Sequence, residues 1–309
     1  MVKKNLQLPK NITSKKHSAE KQSPASSTHI NNNLFAKKLK VKLKQHYLKI
    51  AKTKTILFIT GAFVSNSGWS QWKTYFENEG YVTLAPPWPF KDEPAAILRN
   101  RQPNDIELAN LTLLQLIDHY IEIVKGLPEK PIAIGHSLGG LIAQILVNRD
   151  LVTAGIAIHS VPPLGILPYE FSFLKATWKS LGLFTSLDKT YLMTFKDWQY
   201  AFVNQMPLEE QKDAYEKNTI PESKRVMRGG LTTAAKVDFT KMHVPLLLTA
   251  GSADHIIPAH LNLRNWKQYK NNGSVVDYKE FQGRNHYVLG QSTWKEDADF
   301  ILNWINNLY

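Results

Sequence analysis

A chain of 309 residues, 43% of them hydrophobic, is long enough for one large α/β domain carrying an inserted subdomain. It has no cysteine, which excludes a disulfide framework, a thiolate nucleophile and cysteine-ligated metals. The formal net charge of +12 resides almost wholly in residues 1–50, a lysine-rich segment with one acid, Glu20. The rest of the chain is close to neutral, so a nucleic-acid-binding body is not expected.

Residues 1–33 are rich in Lys, Asn and Ser and too poor in large apolar residues to bury a core, so a disordered leader is predicted there. In the following "LFAKKLKVKLKQHYLKI", Leu39, Leu43 and Tyr47 recur every four residues between lysines. That pattern suits a basic amphipathic helix on a membrane surface; its K-L-K-V alternation equally suits a strand with one solvated face, or a solvated connector. The first thirty residues hold no apolar signal region, and no apolar run approaches the ~20 residues of a membrane span. A cytoplasmic location is the expectation, with surface contact to a membrane through the leader as a side reading.

From residue 55 the pattern becomes strands alternating with helices. "TILFIT" is a β-branched run ending at Gly61. "SGWSQWKTYFENEG" reads as a helix with a serine cap and a glycine stop. "YVTLA" is a strand cut off by "PPWPF". Leu114, Ile117, Ile121 and Val124 recur at helical spacing. "PIAIGHS" is a strand, "LGGLIAQILVN" a helix and "AGIAIHS" a strand. After a long interval come strand "VPLLLTAGSAD", helix "PAHLNLRNWKQYK", strand "GSVVDYKEF" and helix "TWKEDADFILNWINNLY". Continuous apolar strands between helices predict a mostly parallel sheet with helices on both faces. The interval 164–243 breaks the rhythm and is dense in aromatic residues. An insertion that long must fold, and a helical cap over the carboxyl ends of the strands is predicted. The core is then 51–163 together with 244–309.

Ser137 sits in G-x-S-x-G between a strand and a helix. Such a turn lifts a hydroxyl above the sheet edge, and Gly135 and Gly139 remove side chains where the backbone closes tightly. Free serine needs a base. His286, in "FQGRNHYVLG" after the last strand, falls on the same rim of the sheet; His159, at the end of an earlier strand, is the second choice. His136 is expected to be structural, and His243, His255 and His260 to be surface or cap-contact residues. Asp254, just past the strand "LLLTAG", is the candidate acid that would fix the imidazole tautomer; Asp277 competes but lies within a strand. The amides of Leu138 and Ala62 are the candidate oxyanion donors, with Phe63 as the alternative to Ala62 and Trp69 in the same loop region. No phosphate-binding G-x-x-x-x-G-K-[ST] and no H-E-x-x-H occurs, and neither a cofactor nor a metal is expected.

Taken together, "GHSLGG", "GSADHIIP" and "GRNHYVLG", in this order, resemble the α/β-hydrolase superfamily over residues 55–309, the cap excepted. The resemblance implies that fold, with Ser137, His286 and Asp254 as triad and Ala62 and Leu138 as oxyanion hole. "VPPLGI" and "GGLTTAAKVDF" are similar to members called lysophospholipase-like. The chain departs from many members in having Thr60-Gly61 for His-Gly, and "PPWPF" for an Asp-x-Pro-Gly loop. The first two strands of the common fold are not evident.

The expected activity is a serine hydrolase cleaving a carboxylic ester or thioester with an apolar acyl part. The same triad serves an acyltransferase, a perhydrolase or a C–C hydrolase, and the fold alone serves a non-catalytic ligand-binding protein.

Overall fold

The computed structural model describes residues 53–269 and 273–308. The predicted leader and its amphipathic stretch, residues 1–50, lie outside the described residues.

Six strands form one sheet: β1 (Thr55–Ile59), β2 (Val82–Leu84), β3 (Ile132–His136), β4 (Ala154–Ile158), β5 (Leu246–Gly251) and β6 (Val276–Phe281), in the order β2-β1-β3-β4-β5-β6. Every pairing is parallel. The chain leaves β1 towards β2 on one side and returns to β3 on the other. The switch point therefore lies between the carboxyl ends of β1 and β3, where open α/β sheets form their ligand crevice.

Alternate residues of each strand serve opposite layers, as the period of two requires. Ile56, Phe58, Ile132, Ile134, Ile156 and Leu247 pack with α1 (Ser70–Asn78) and α11 (Trp294–Asn306), through Trp72, Phe76, Ile301 and Ile305. Leu57, Ile59, Ala133, Ala157, Leu246 and Leu248 face the opposite layer. That layer includes α4 (Leu113–Gly126), α5 (Leu138–Asn148) and α10 (Ala259–Gln268), which bury Leu116, Tyr120, Leu141, Ile145 and Leu261. Short helices α2 (Ala95–Arg101) and α3 (Ile106–Asn110) precede α4.

Two local readings are corrected. The serine that opens the first helical stretch is Ser65, whose side chain accepts from Ser67 N–H and caps a 3₁₀ turn leading into α1. Trp69 belongs to that turn and stacks on Phe58 in the core, centroids 4.6 Å apart, so it is no part of the site. In α4 the Thr112 capping box rotates the register, so Leu113, Leu116, Ile117, Tyr120, Ile121 and Val124 face inward while Leu114 is exposed.

Between β4 and β5 lie four helices: α6 (Phe171–Leu181), α7 (Phe195–Ala201), α8 (Leu208–Asn218) and α9 (Lys224–Gly229). Trp198 and Phe202 anchor this insertion, stacked 4.1 Å apart and buried. Its residues 218–222 run antiparallel to the loop after β1. Ser65 N–H donates to the Asn218 carbonyl, Ile220 N–H to the Phe63 carbonyl, and Val64 bridges Thr219.

The corrected register of α4 is testable by equilibrium denaturation. Ile117→Ala should cost about 2–4 kcal/mol through the cavity it opens. Leu114→Lys should stay within about 0.5 kcal/mol of the parent.

Candidate functional site

The strand β3 enters the turn with Ile132, Ala133 and Ile134 fully buried, and the backbone reverses at Ser137, whose φ of 56° and ψ of −118° lie outside the regions that L residues ordinarily occupy. Two contacts make this possible. A Cβ on Gly139 would lie 2.0 Å from the Ile59 carbonyl oxygen, and one on Gly135 would lie 2.0 Å from the Gly139 carbonyl oxygen. Only glycine permits this approach of α5 to β1 and β3. The strain is held by hydrogen bonds from Ser137 N–H to the Ile158 carbonyl and from Val161 N–H to the Ser137 carbonyl.

The turn brings the predicted residues together. Ser137 Oγ lies 2.9 Å from His286 Nε2, and His286 Nδ1 lies 2.7 Å from Asp254 Oδ2. The ring therefore donates its Nδ1–H to the carboxylate and offers Nε2 as acceptor for the serine hydroxyl. Asp254 is buried and accepts four hydrogen bonds. Ile256 and Ile257 N–H reach Oδ1, both at 2.8 Å; His286 and His159 reach Oδ2. Burial alone would raise its pKa, but the adjoining His286 and His159 outweigh this and hold it below the usual carboxylate range.

His159 thus bonds the acid at 2.9 Å and makes no hydrogen bond to the serine, so it is a partner of Asp254 and not an alternative base. Its Nε2 is buried without a hydrogen-bond partner. His136 donates Nε2–H to the His286 carbonyl at 2.9 Å, a structural role as expected. Burial, reinforced by His286 and His159, pushes its pKa well down, so it is neutral. Asp277 accepts from Trp304 Nε1, remote from the serine. His255 and His260 contact the insertion, at the Tyr200 carbonyl and Glu170. His243 is buried beside Tyr269, contrary to the expected surface placement.

Ala62 lies just beyond the end of β1 and Leu138 opens α5, on either side of the switch point. Ala62 and Leu138 line the same cleft as Ser137, and neither N–H has a partner among the described residues. The Phe63 amide is occupied: it donates to Glu222 Oε2 at 3.1 Å. Of these two neighbouring amides, that of Ala62 alone is without a partner among the described residues. Glu222 is itself fully buried, paired with the buried Lys91, and also accepts from Ser223 N–H. Lys91 lies over the Trp88 ring, and Trp88 Nε1–H donates to the Thr60 carbonyl. The "PPWPF" segment and its following lysine therefore brace the loop that Thr60 and Gly61 begin.

Glu222, Lys91 and Trp88 were not singled out from sequence, and an isolated Glu in "TIPES" carries no pattern that would reveal them. The histidine loop is braced similarly. Phe202 packs edge-on to His286 at 5.0 Å, Tyr287 N–H donates to the Phe202 carbonyl, and Asn285 and Asn204 link the histidine loop, the insertion and the Ala253 carbonyl.

Above Ser137 opens a cleft walled mainly by apolar side chains such as Leu164, Phe173, Met193, Phe202, Met227 and Ile257. Among the described residues the one cluster with metal-ligand character is His159, Asp254 and His286. The nitrogens facing Asp254 are its hydrogen-bond donors, so the group reads as a proton-handling network.

Two predictions follow from these buried charges. Glu222→Gln keeps an acceptor for Phe63 but strands Lys91, and should cost about 3 kcal/mol in urea unfolding. Adding Lys91→Met should recover most of that loss. Stability should also fall as pH drops. His136 has a folded pKa well below the usual 6.5, so the unfolded chain takes up a proton that the folded chain refuses once pH passes below about 6.5. The contribution of Asp254 is present above its usual 3.8 and is lost as pH falls through its lower folded value. Tm should decline from about pH 7 to pH 5, and His136→Gln should flatten that slope.

The sequence profile of the alpha/beta hydrolase family matches residues 56–296. A comparison with curated proteins finds no match. Solved structures similar in fold include a methylesterase from Arabidopsis (TM-score 0.58, 15% identity, covering 82% of this chain and 98% of that one). A monoacylglycerol lipase from Paleococcus ferrophilus is similar at TM-score 0.58 and 17% identity, covering 82% and 95%. A pyrethroid hydrolase from Sphingobium faniae is similar at TM-score 0.59 and 17% identity, covering 82% and 97%. With the parallel sheet, the strand–serine–helix turn and this match over most of its length, the chain belongs to the alpha/beta hydrolase family.

Proposed function

We propose that the protein is a serine hydrolase of carboxylic esters or thioesters with an apolar acyl part. The observation that carries this reading is the unbroken hydrogen-bond chain Ser137–His286–Asp254 beneath an apolar cleft, with two unpartnered amides on the serine's flank.

In this reading the acyl chain lies in the cleft and its carbonyl carbon sits over Ser137 Oγ. The hydroxyl attacks as His286 Nε2 takes its proton, and Asp254 stays ionised while it stabilises the imidazolium. The carbonyl oxygen becomes negative between the Ala62 and Leu138 amides, at the amino end of α5 where the helix dipole favours negative charge. His286 returns the proton to the leaving alcohol or thiol. Water, activated by the same imidazole, then attacks the acyl-serine and restores the hydroxyl.

Apolar walls favour the acyl part by solvent exclusion, about 0.8 kcal/mol for each methylene fully buried. On p-nitrophenyl esters of increasing chain length, kcat/KM should therefore rise by up to about fourfold per methylene until the cleft is filled. A fluorophosphonate probe should label the wild type and not Ser137→Ala. Equal labelling of both proteins would sink the mechanism.

A further inference from the structure

Asp254 Oδ2 carries two imidazoles, and the triad uses one of them. His286 Nδ1 lies 2.7 Å from that oxygen and His159 Nδ1 2.9 Å, with all three side chains fully buried. Oδ1 is taken by the Ile256 and Ile257 amides, so four donors fill the acceptor positions of the carboxylate. His159 makes no hydrogen bond to Ser137 and is not part of the cleft wall. Any effect it has on the reaction passes through Asp254.

The backbone around His159 is built to hold the ring there. His159 follows β4 directly and has a φ of 45°, in the left-handed region that residues other than glycine rarely adopt. Its N–H donates to the Thr249 carbonyl of β5 at 2.9 Å, which holds that conformation. A Cβ on Gly251 would lie 2.5 Å from His159 Cε1, so the ring occupies space that only glycine leaves open. Its Nε2 has no hydrogen-bond partner, and the bond to Asp254 is the one bond the ring makes among the described residues. A strained residue and a glycine thus serve a single hydrogen bond, made to the carboxylate of the triad.

We propose that His159 is a positioning residue for the triad: it anchors Asp254 Oδ2 and shares its charge, and so sets how readily His286 takes up a proton. The role in turnover rests on the hydrolase reading above; the coupling of the two rings does not. A hydrogen bond to a buried carboxylate stabilises its charge. Without the His159 donor that charge is less satisfied, and the imidazolium of His286 beside it is favoured. His286 then stays protonated to higher pH, and a protonated ring cannot accept the serine proton. The other titratable groups facing His159 are the His136 and His286 rings, each 6.3 Å away between centroids, and Asp297 on α11, which pairs with Arg284 at 2.8 Å. None of them hydrogen-bonds the His159 ring.

The full chain and its His159→Phe and His159→Asn variants should be compared by kcat and KM for p-nitrophenyl acetate between about pH 5 and about pH 9. Phe keeps a ring and removes the donor. Asn tolerates a left-handed backbone and returns an N–H near the place of Nδ1. The acid limb of the Phe variant should move up by about one pH unit, a loss of about tenfold in kcat below the limb, with KM unchanged. The limb of the Asn variant should coincide with that of the wild type. If the Phe variant does not fold, His159→Gly, which adopts the left-handed backbone without strain, takes its place with the same expectation. An unmoved limb in the variant lacking the donor, or an equal displacement in the Asn variant, would overturn the proposal. If the wild type cleaves no ester, the titration of the His286 ring, followed by NMR in histidine-labelled protein, decides instead. A midpoint raised by loss of the donor and restored by Asn would support the coupling and count against the hydrolase. An unchanged midpoint would overturn the coupling.

Discussion

The geometry of the site depends on the closeness of three backbone segments. Gly139, at the start of α5, presses against the carbonyl of Ile59 at the end of β1, and Gly135 in β3 presses against Gly139. Leu138 adjoins that contact on one side, and Ala62 follows it by three residues on the other. One steric approach thus holds the start of α5 against the ends of β1 and β3. The positive φ of Ser137 follows from the same approach, because the chain must reverse within a single residue to bring the helix so near.

Around this turn the polar groups are buried, and their hydrogen bonds decide which protonation states are tolerable. Asp254 accepts two main-chain and two imidazole donors, so it remains a carboxylate in a place that would otherwise neutralise it. His136 gives its one proton to the His286 carbonyl and cannot accept another without an uncompensated buried charge. Three histidine rings within 4.8–6.3 Å of one another thus have different tasks, set by what each nitrogen faces.

Much of this was legible in the sequence because it rests on local chemistry. Continuous apolar runs gave the strands, and Gly-His-Ser-Leu-Gly could adopt its turn only between a strand and a helix. Asp254 and His286 were placed by lying just beyond strand ends, a rule of topology. What escaped depends on contacts between residues far apart in the chain. Glu222 meets Phe63 across 159 positions, and His159 meets Asp254 across 95. Nothing local marks Glu222, and the strand end that marks His159 does not reveal its partner. Leu114 is exposed although its spacing matches the inner face, because a shift of one residue in a helix leaves the apolar spacing nearly intact, and the Thr112 cap sets the register. The buried His243 shows the same limit: its neighbour Tyr269 lies far along the chain.

The pairing of residues 63–65 with 218–222 has a consequence for how the insertion behaves mechanically. A flap that swings on flexible hinges needs few bonds to the body at its moving edge. Here that edge is stitched by main-chain bonds and by a buried Glu222–Lys91 pair directly to the loop holding the Ala62 amide. Lifting the insertion as one piece would dismantle the very loop it covers. The insertion and the loop after β1 therefore form one cooperative unit.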